Sequence, residues 1–405
     1  MPFATIALVR CFVSLILLAT LARTAEIPKT LISESEAEPI RSAIVRKEAW
    51  TVDAVRRLRA EADRHMKEGP YSVTSDRPAN TPLDPHDYYS EAPYWWPNPD
   101  NPSGPYIRKE GQVYPGRFTA NRAALNQMVD SVFTLGAAAF FLNDSHYAHR
   151  AARIIRTWFI DPKTRMNPNL EHAQTIRGVN GGQGGAFDGR AFIRAIQGME
   201  FLSQTEAWSD KDQAAVRKWF EEYLRWLTRS PIAEEDRASG NDHTSWWAAQ
   251  AAAVATFVDN DHEAQAAFRF YRDRVFPHQV KPDAQKDESR FRSQVSNLGA
   301  LTTLCRIAQV HGVNLWSLRA KNGATLGTMI DALDPALSDP HRLAREQIPD
   351  FATDSVFFLA FAGMGMNRPD YVALYRKIEH PDTAWLNVID LLVSRWESSG
   401  HQTRH

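Results

Sequence analysis

At positions 241–243 the chain sets an amide, a carboxylate and an imidazole side by side: Asn241, Asp242 and His243, inside the stretch SGNDHTSWWAAQ at 239–250. These are proton-transfer and hydrogen-bonding groups, the types that acid-base catalysis draws on. An alanine-rich apolar run follows at once, so the trio stands at the mouth of a helix. Thr244 or Ser245 is the expected N-cap, with His243 just outside it. The partial positive charge of a helix start attracts anions, so the pattern predicts an anion site beside an available imidazole.

Other chemistry-bearing side chains lie upstream. Trp95 and Trp96, in LDPHDYYSEAPYWWPNPDNPSGPYIRKEGQVYPG at 83–116, can stack on a ligand ring or anchor a core. His172 and Gln174, in NLEHAQTI, precede a glycine-rich connection, GVNGGQGGAFDG, and can reach a ligand from an opposite wall, with Arg190 just beyond. That connection lacks the Gly-Lys-Ser/Thr ending of a phosphate loop and follows no strand, so its glycines are read as permitting close backbone approach around a cleft. No His-x-x-x-His or paired-cysteine pattern occurs, and neither a zinc-type metal nor a cofactor is expected.

The elements that must position these groups are helices. NQMVDSVFTLGAAAFFL with HYAHRAARIIRTWFI, GRAFIRAIQGMEFLSQ with DKDQAAVRKWFEEYLRWLTR, TSWWAAQAAAVATFV with HEAQAAFRFYRDRVF, and VSNLGALTTLCRIAQVHG with GATLGTMIDALD read as successive antiparallel pairs. Their recurrence at intervals of about 50–60 residues predicts an all-α array or a closed ring of hairpins. Residues 35–68 are also helix-favouring, with Ile44, Val52, Val55 and Leu58 spaced for one face. The proline-rich aromatic stretch 69–116 interrupts the pattern as a long ordered loop.

With 405 residues, 43% hydrophobic and 11% aromatic, the chain has ample material for a core. Its 47 Lys and Arg balance 48 Asp and Glu, so bulk charge proposes neither nucleic acid nor an anionic membrane as partner. MPFATIALVRCFVSLILLATLARTA reads as a signal peptide over 1–25, its apolar stretch shorter than the ~20 residues that span a bilayer. A secreted protein is expected, periplasmic if bacterial, with residues 26–405 as a single domain. No later run is apolar enough to cross a membrane. Once Cys11 leaves with the leader, Cys305 remains alone in a helical apolar setting, a buried structural thiol.

Several stretches, in order, resemble the alginate-lyase family of polysaccharide lyases: DYYSEAPYWWPNP at 87–99, GPYIRKEGQVYPG at 104–116, TWFIDPKTRMNPNLEHAQTIRGVNGGQGGAFDGR at 157–190, NDHTSW at 241–246 and SNLGALTTLCRIAQVHGVNLW at 296–316. The resemblance implies an α/α toroid or incomplete barrel of helical hairpins behind the aromatic N-terminal loop. It also implies cleavage of an anionic, uronic-acid-containing polysaccharide by β-elimination. His243 matches the family histidine, and Arg290 or Arg292 lies on the turn that would carry the family arginine. Being two residues apart, these arginines do not share a helix face. Tyr88, Tyr94, Trp95, Trp96, His172, Gln174 and Arg190 fall in the stretches expected to bind substrate.

Two departures stand out. Asp242 replaces an amide of the family's Asn-Asn-His block, and is expected to orient His243 while Asn241 serves the substrate. Ser293 occupies the position where the family has a tyrosine, so the phenol must come from Tyr88, Tyr89 or Tyr94, or His243 must act as both base and acid. The competing readings are an inverting glycoside hydrolase using Asp188 and Asp242, and a carbohydrate-binding relative that has lost catalysis.

Overall fold

The computed structural model describes residues 30–78, 83–179, 184–203, 205–280, 291–339, 356–379 and 381–400. The expected leader at 1–25 and Arg290 lie outside them. The chain is helical, as its periodicity predicts, and the helices form two populations. In α3 (Ala120–Leu142), α8 (Asp242–Phe257) and α11 (Phe291–Val310) nearly every side chain beyond the first turn is buried. In α4 (Ser145–Ile155), α6 (Asp210–Arg229) and α9 (Asp261–Phe270) only one stripe is, such as Tyr147, Ala148, Ala151, Ala152 and Ile155 of α4. A helix apolar all round must be enclosed, and an amphipathic one faces water on its far side. Hence α3, α8 and α11 form the inner layer, and α4 and α9 pack on α3 and α8 from outside.

Inner helices approach closely where side chains shrink. The axes of α3 and α5 (Phe192–Leu202) meet at Gly136 and Gly198: a Cβ at Gly136 would lie 2.3 Å from the Gly198 carbonyl oxygen. α3 is long and apolar enough to cross a membrane by length and composition, contrary to the expectation that no later segment is, but it is buried inside the molecule.

The remaining helices complete the arrangement: α1 (Glu34–Val45), α2 (Ala49–His65), α7 (Pro231–Ala238), α10 (Phe276–Gln279), α12 (Leu326–Leu337), α13 (Phe357–Gly365), α14 (Pro369–Lys377) and α15 (Ala384–Ser398). α15 packs on α1, α2 and α3, returning the end of the described chain to its beginning. On α2 the buried face is Thr51, Ala54, Leu58, Ala62 and His65, whereas Val52 is 56% exposed, so the stripe expected through Val52 is rotated. The alanines needed no large apolar neighbour to be inside. Cys305 on α11 is buried against the Tyr271 hydroxyl at 3.2 Å, and burial pushes its thiol up to about 12.

Between residues 89 and 108 the aromatic stretch contributes to two small sheets. β1 (Tyr89–Glu91) runs parallel to β4 (His172–Thr175), with Tyr89 opposite His172 and Glu91 opposite Thr175. β2 (Trp95–Trp96) pairs antiparallel with β3 (Ile107–Arg108). These strands fasten the loop to the chain that leads into the glycine-rich connection.

Candidate active site

The chain turns from α7 into α8 through Ser239, Gly240 and Asn241. Ser230 caps α7 with Pro231 at its first position, and Gly240 takes a φ of +72° that glycine adopts without strain. The cap of α8 is Asn241, not Thr244 or Ser245: its Oδ1 accepts the His243 backbone N–H at 2.8 Å and the Ser239 hydroxyl at 2.8 Å. His243 therefore sits in the first turn of the helix. Thr244 instead points back, donating its hydroxyl to the Asp236 carbonyl at 3.1 Å.

His243 is held from two sides. Its Nδ1 lies 2.6 Å from Asp236 Oδ1, and the other Asp236 oxygen accepts the Phe187 N–H at 3.0 Å. Asp236 is only 1% exposed, whereas the His243 side chain keeps 26% of its surface open. The Phe187 ring stacks on the imidazole, centroids 4.1 Å apart and planes within 16°. Gly184, at φ +74°, lets the backbone pass here, since a Cβ would lie 2.7 Å from the imidazole. Against an ionised carboxylate, which can only accept, Nδ1 is the donor, and in the neutral ring Nε2 then holds the lone pair.

Arg190 shares the same aromatic ring, its guanidinium 3.9 Å from the Phe187 centroid and its Nη1 donating to the Phe187 carbonyl at 2.9 Å. Burial pushes Arg190 down to about 10 and Arg122 adds to the effect, against the attraction of Asp188, Asp242 and Tyr88. It remains a cation at neutral pH, poorly neutralised by water and suited to an anionic ligand.

A second carboxylate, Asp188, follows Phe187 in the chain and gathers its own set of donors. It accepts the Tyr88 hydroxyl at 2.9 Å, the Ser90 hydroxyl at 2.8 Å and Gln174 Nε2 at 3.2 Å, with Arg122 Nε 3.9 Å away. Gln174 in turn gives its backbone N–H to Ser90 Oγ at 2.9 Å. Burial and the Asp188 charge hold the Tyr88 phenol well above its ordinary range. Asp188 is thus committed to three donors, which argues against its serving as a water-activating base with Asp242.

Strand alternation sends Tyr89 the other way. Its hydroxyl donates to Glu91 at 3.1 Å, and Glu91 also receives Arg177 at 2.6 Å, so the phenol is raised by burial and by Glu91 and is spent on structure. His172 Nε2 lies 3.6 Å from Asp87. Tyr94 and Trp95 are half-buried. Trp96 packs on Tyr114 at 5.1 Å, donates its indole N–H to the Gln112 carbonyl and carries Lys109 Nζ 4.7 Å from its ring centroid.

The sequence profile of the family described as alginate lyase matches residues 72–343, a span that includes both carboxylate clusters, β1 to β4 and α3 to α12. The chain belongs to the alginate lyase family. It is a polysaccharide lyase. Among solved structures it is similar to an alginate lyase from Bacteroides ovatus, at 27% identity and a TM-score of 0.79, covering 89% of this chain and 98% of that one. It is also similar to alginate lyase A1-III complexed with a tetrasaccharide, at 12% identity and a TM-score of 0.52 over 84% of this chain and 88% of that one, a likeness of fold alone. No curated protein matches.

Within this lyase α11 packs against α8 and meets its first turn. Asp242 does not face His243: its Oδ2 accepts the Ser296 hydroxyl at 2.7 Å, and Ser296 Oγ accepts the Trp246 indole N–H at 3.1 Å. Orientation of the imidazole falls to Asp236, and the expectation for Asp242 is corrected. Asn297 donates to Gln279 Oε1 at 3.2 Å, and Gln279 Nε2 donates to the Asn241 carbonyl at 3.1 Å, tying α10 and α11 to the cap. Arg292 is half-buried and Ser293 exposed in the first turn of α11. Asp236, Phe187 and Ser296 escaped the sequence reading. Asp236 is the third acid of AEEDRASGNDH, and nothing local distinguishes it from Glu234 and Glu235.

Proposed function

We propose that this lyase cleaves a uronic-acid polysaccharide of the alginate or glucuronan type by β-elimination, with His243 as the base. The observation that carries the reading is the 2.6 Å contact of Nδ1 with buried Asp236, which leaves Nε2 as the partly exposed lone pair. In elimination Nε2 takes the proton at C5. The electron pair of that C–H bond becomes the C4=C5 double bond, the C4–O4 bond breaks, and O4 departs as an alcohol once protonated.

The C5 proton is weakly acidic while the neighbouring carboxylate keeps its full charge, so donors must offset that charge as the transition state forms. Arg190, over the opposite face of Phe187 from the imidazole, is the cation for this task. Asn241 is the neutral donor, its oxygen used in the cap and its NH2 still able to donate. Imidazolium formed at His243 then returns its proton to O4, because Tyr88 and Tyr89 are committed to Asp188 and Glu91 and both phenols are shifted upward. The enzyme acts outside the cytoplasm after its leader is removed, which N-terminal sequencing of the mature protein would check.

The test is incubation with polymannuronate, polyguluronate and glucuronan, followed by ultraviolet absorbance and mass spectrometry of the products in ¹⁸O water. Conjugated, unsaturated ends without ¹⁸O are expected. Products that carry ¹⁸O and no such absorbance would sink the proposal. Tyr94→Phe should remain active; its inactivity would move the acid role from His243 to Tyr94.

A further inference from the structure

A cleft of about 760 Å³ opens on the other side of the α7–α8 turn, and Gly240 and Thr244, which flank the Asn241–His243 segment, form part of its wall. Its volume lies within the range of roughly 300–1,000 Å³ typical of small-molecule sites. Its far wall is Arg274, His278 and Gln279, carried by the π-helical turn Tyr271–Val275 and by α10. π-Turns inside α-helices recur at functional sites because the extra residue re-aims the side chains that follow.

The charge of this cleft is one-sided. Among the described residues its one carboxylate, Glu234, is paired with Arg237 Nη1 at 2.9 Å, and the Arg237 guanidinium is held against Trp247 and Phe270 at 5.2 and 4.9 Å. The nearby Asp273 is taken by Arg272 at 2.7 Å. Among the described residues no carboxylate lies within salt-bridge distance of Arg274 or His278, and both side chains are exposed. By contrast, a smaller cleft between α6 and α9 mixes Glu221 and Glu263 with Arg225 and Arg229, and so has no net preference for an anion.

We infer that this cleft is a binding subsite for a uronate unit of the substrate chain, remote from the bond that is cut. Its carboxylate is met by Arg274 and His278, and its ring lies along the Gly240–Thr244 wall. The inference rests on the uronate reading above. Continuity supports it: Gln279, in the cleft wall, donates to the Asn241 carbonyl, so the cleft begins where the site around His243 ends. A chain lying across Asn241 would meet both.

The experiment compares the wild-type enzyme with the double variant Arg274→Gln/His278→Gln and with Arg274→Lys, on long polyuronate and on the shortest oligouronide that is cleaved. For the double variant KM on polymer should rise about tenfold while kcat and the short-substrate KM stay unchanged, with the difference shrinking at high salt. Arg274→Lys should retain most of the affinity. Unchanged KM at every chain length would overturn the subsite, as would equal loss on short and long substrates, which would mean that the residues act through His243. If the wild type yields no unsaturated product, the reaction proposed above fails separately. Binding of polyuronate to wild type and double variant, compared by calorimetry, then decides the subsite: equal binding, or none by the wild type, overturns it.

Discussion

Two buried carboxylates, Asp236 and Asp188, lie to either side of Phe187, the first accepting its backbone N–H and the second following it in the chain, and they do different work. Each is almost sealed from solvent, at 1% and 4% exposure, and each is satisfied by donors from other parts of the chain. Asp236 spends one oxygen on a backbone N–H and the other on an imidazole that still reaches solvent. Asp188 spends its oxygens on a buried phenol, a buried hydroxyl and a buried amide. A buried charge costs the fold several kcal/mol unless it is paired and hydrogen-bonded, so both clusters must be built completely. Only at Asp236 is the partner an imidazole, a group that can both accept and donate a proton, and one that touches water. Burial and pairing are common to both carboxylates; the exposure of the partner is what separates them.

Substitutions can break this contrast, beginning with the largest effect. His243→Ala should lower kcat by about 10²- to 10⁴-fold, the scale of a lost acid-base group, with the far-ultraviolet circular dichroism of the helices unchanged. Loss of the helical signal would make the residue structural. Asp236→Asn should cost kcat roughly 10- to 100-fold with little change in KM, because the amide can present either its oxygen or its NH2 to Nδ1 and no longer fixes the ring proton there. Steady-state kinetics paired with ¹⁵N chemical shifts of the imidazole would report both.

The alkaline side tests Arg190. Its folded-state value, about 10, lies below the ordinary one, so the charge vanishes from the folded protein as pH rises through about 10. KM for a uronate polymer should rise over that interval. The stability term has the opposite sign: the unfolded chain holds the proton more tightly than the folded one between those two values, so the penalty for burying the cation is relieved as pH climbs. A KM that is flat through pH 10 would remove Arg190 from the substrate carboxylate.

Asp188→Asn should act on the fold more than on the rate. Weakening the charge-assisted bonds of Tyr88 and Ser90 should lower unfolding stability by roughly 2–3 kcal/mol in denaturant titration, while kcat of the folded enzyme stays within a few-fold. A rate loss as large as that of Asp236→Asn would erase the distinction between the two carboxylates. The smallest change is expected of Asp242→Asn, whose partner is Ser296 and not the imidazole: kcat should stay within about threefold, the scale of a substitution that leaves packing intact.

Local order in the sequence determined the helices of this protein. An alanine-rich run after Asn-Asp-His, or Tyr147, Ala148, Ala151 and Ala152 in one stripe, dictates a helix and its buried face because periodicity acts over neighbouring turns. It also placed His243 beside a helix start, though the cap fell at Asn241 because its short side chain reaches the His243 N–H from the turn that Gly240 opens. Only the tertiary structure decided the partners. Tyr88 meets Asp188 from 100 residues away, Ser296 meets Asp242 from 54, and Asp236 was one acid among three until the α7–α8 turn folded it against the imidazole. Hydrogen bonds last only a few ångströms, so which donor meets which carboxylate is fixed by how the hairpins pack, and no spacing along the chain carries that information.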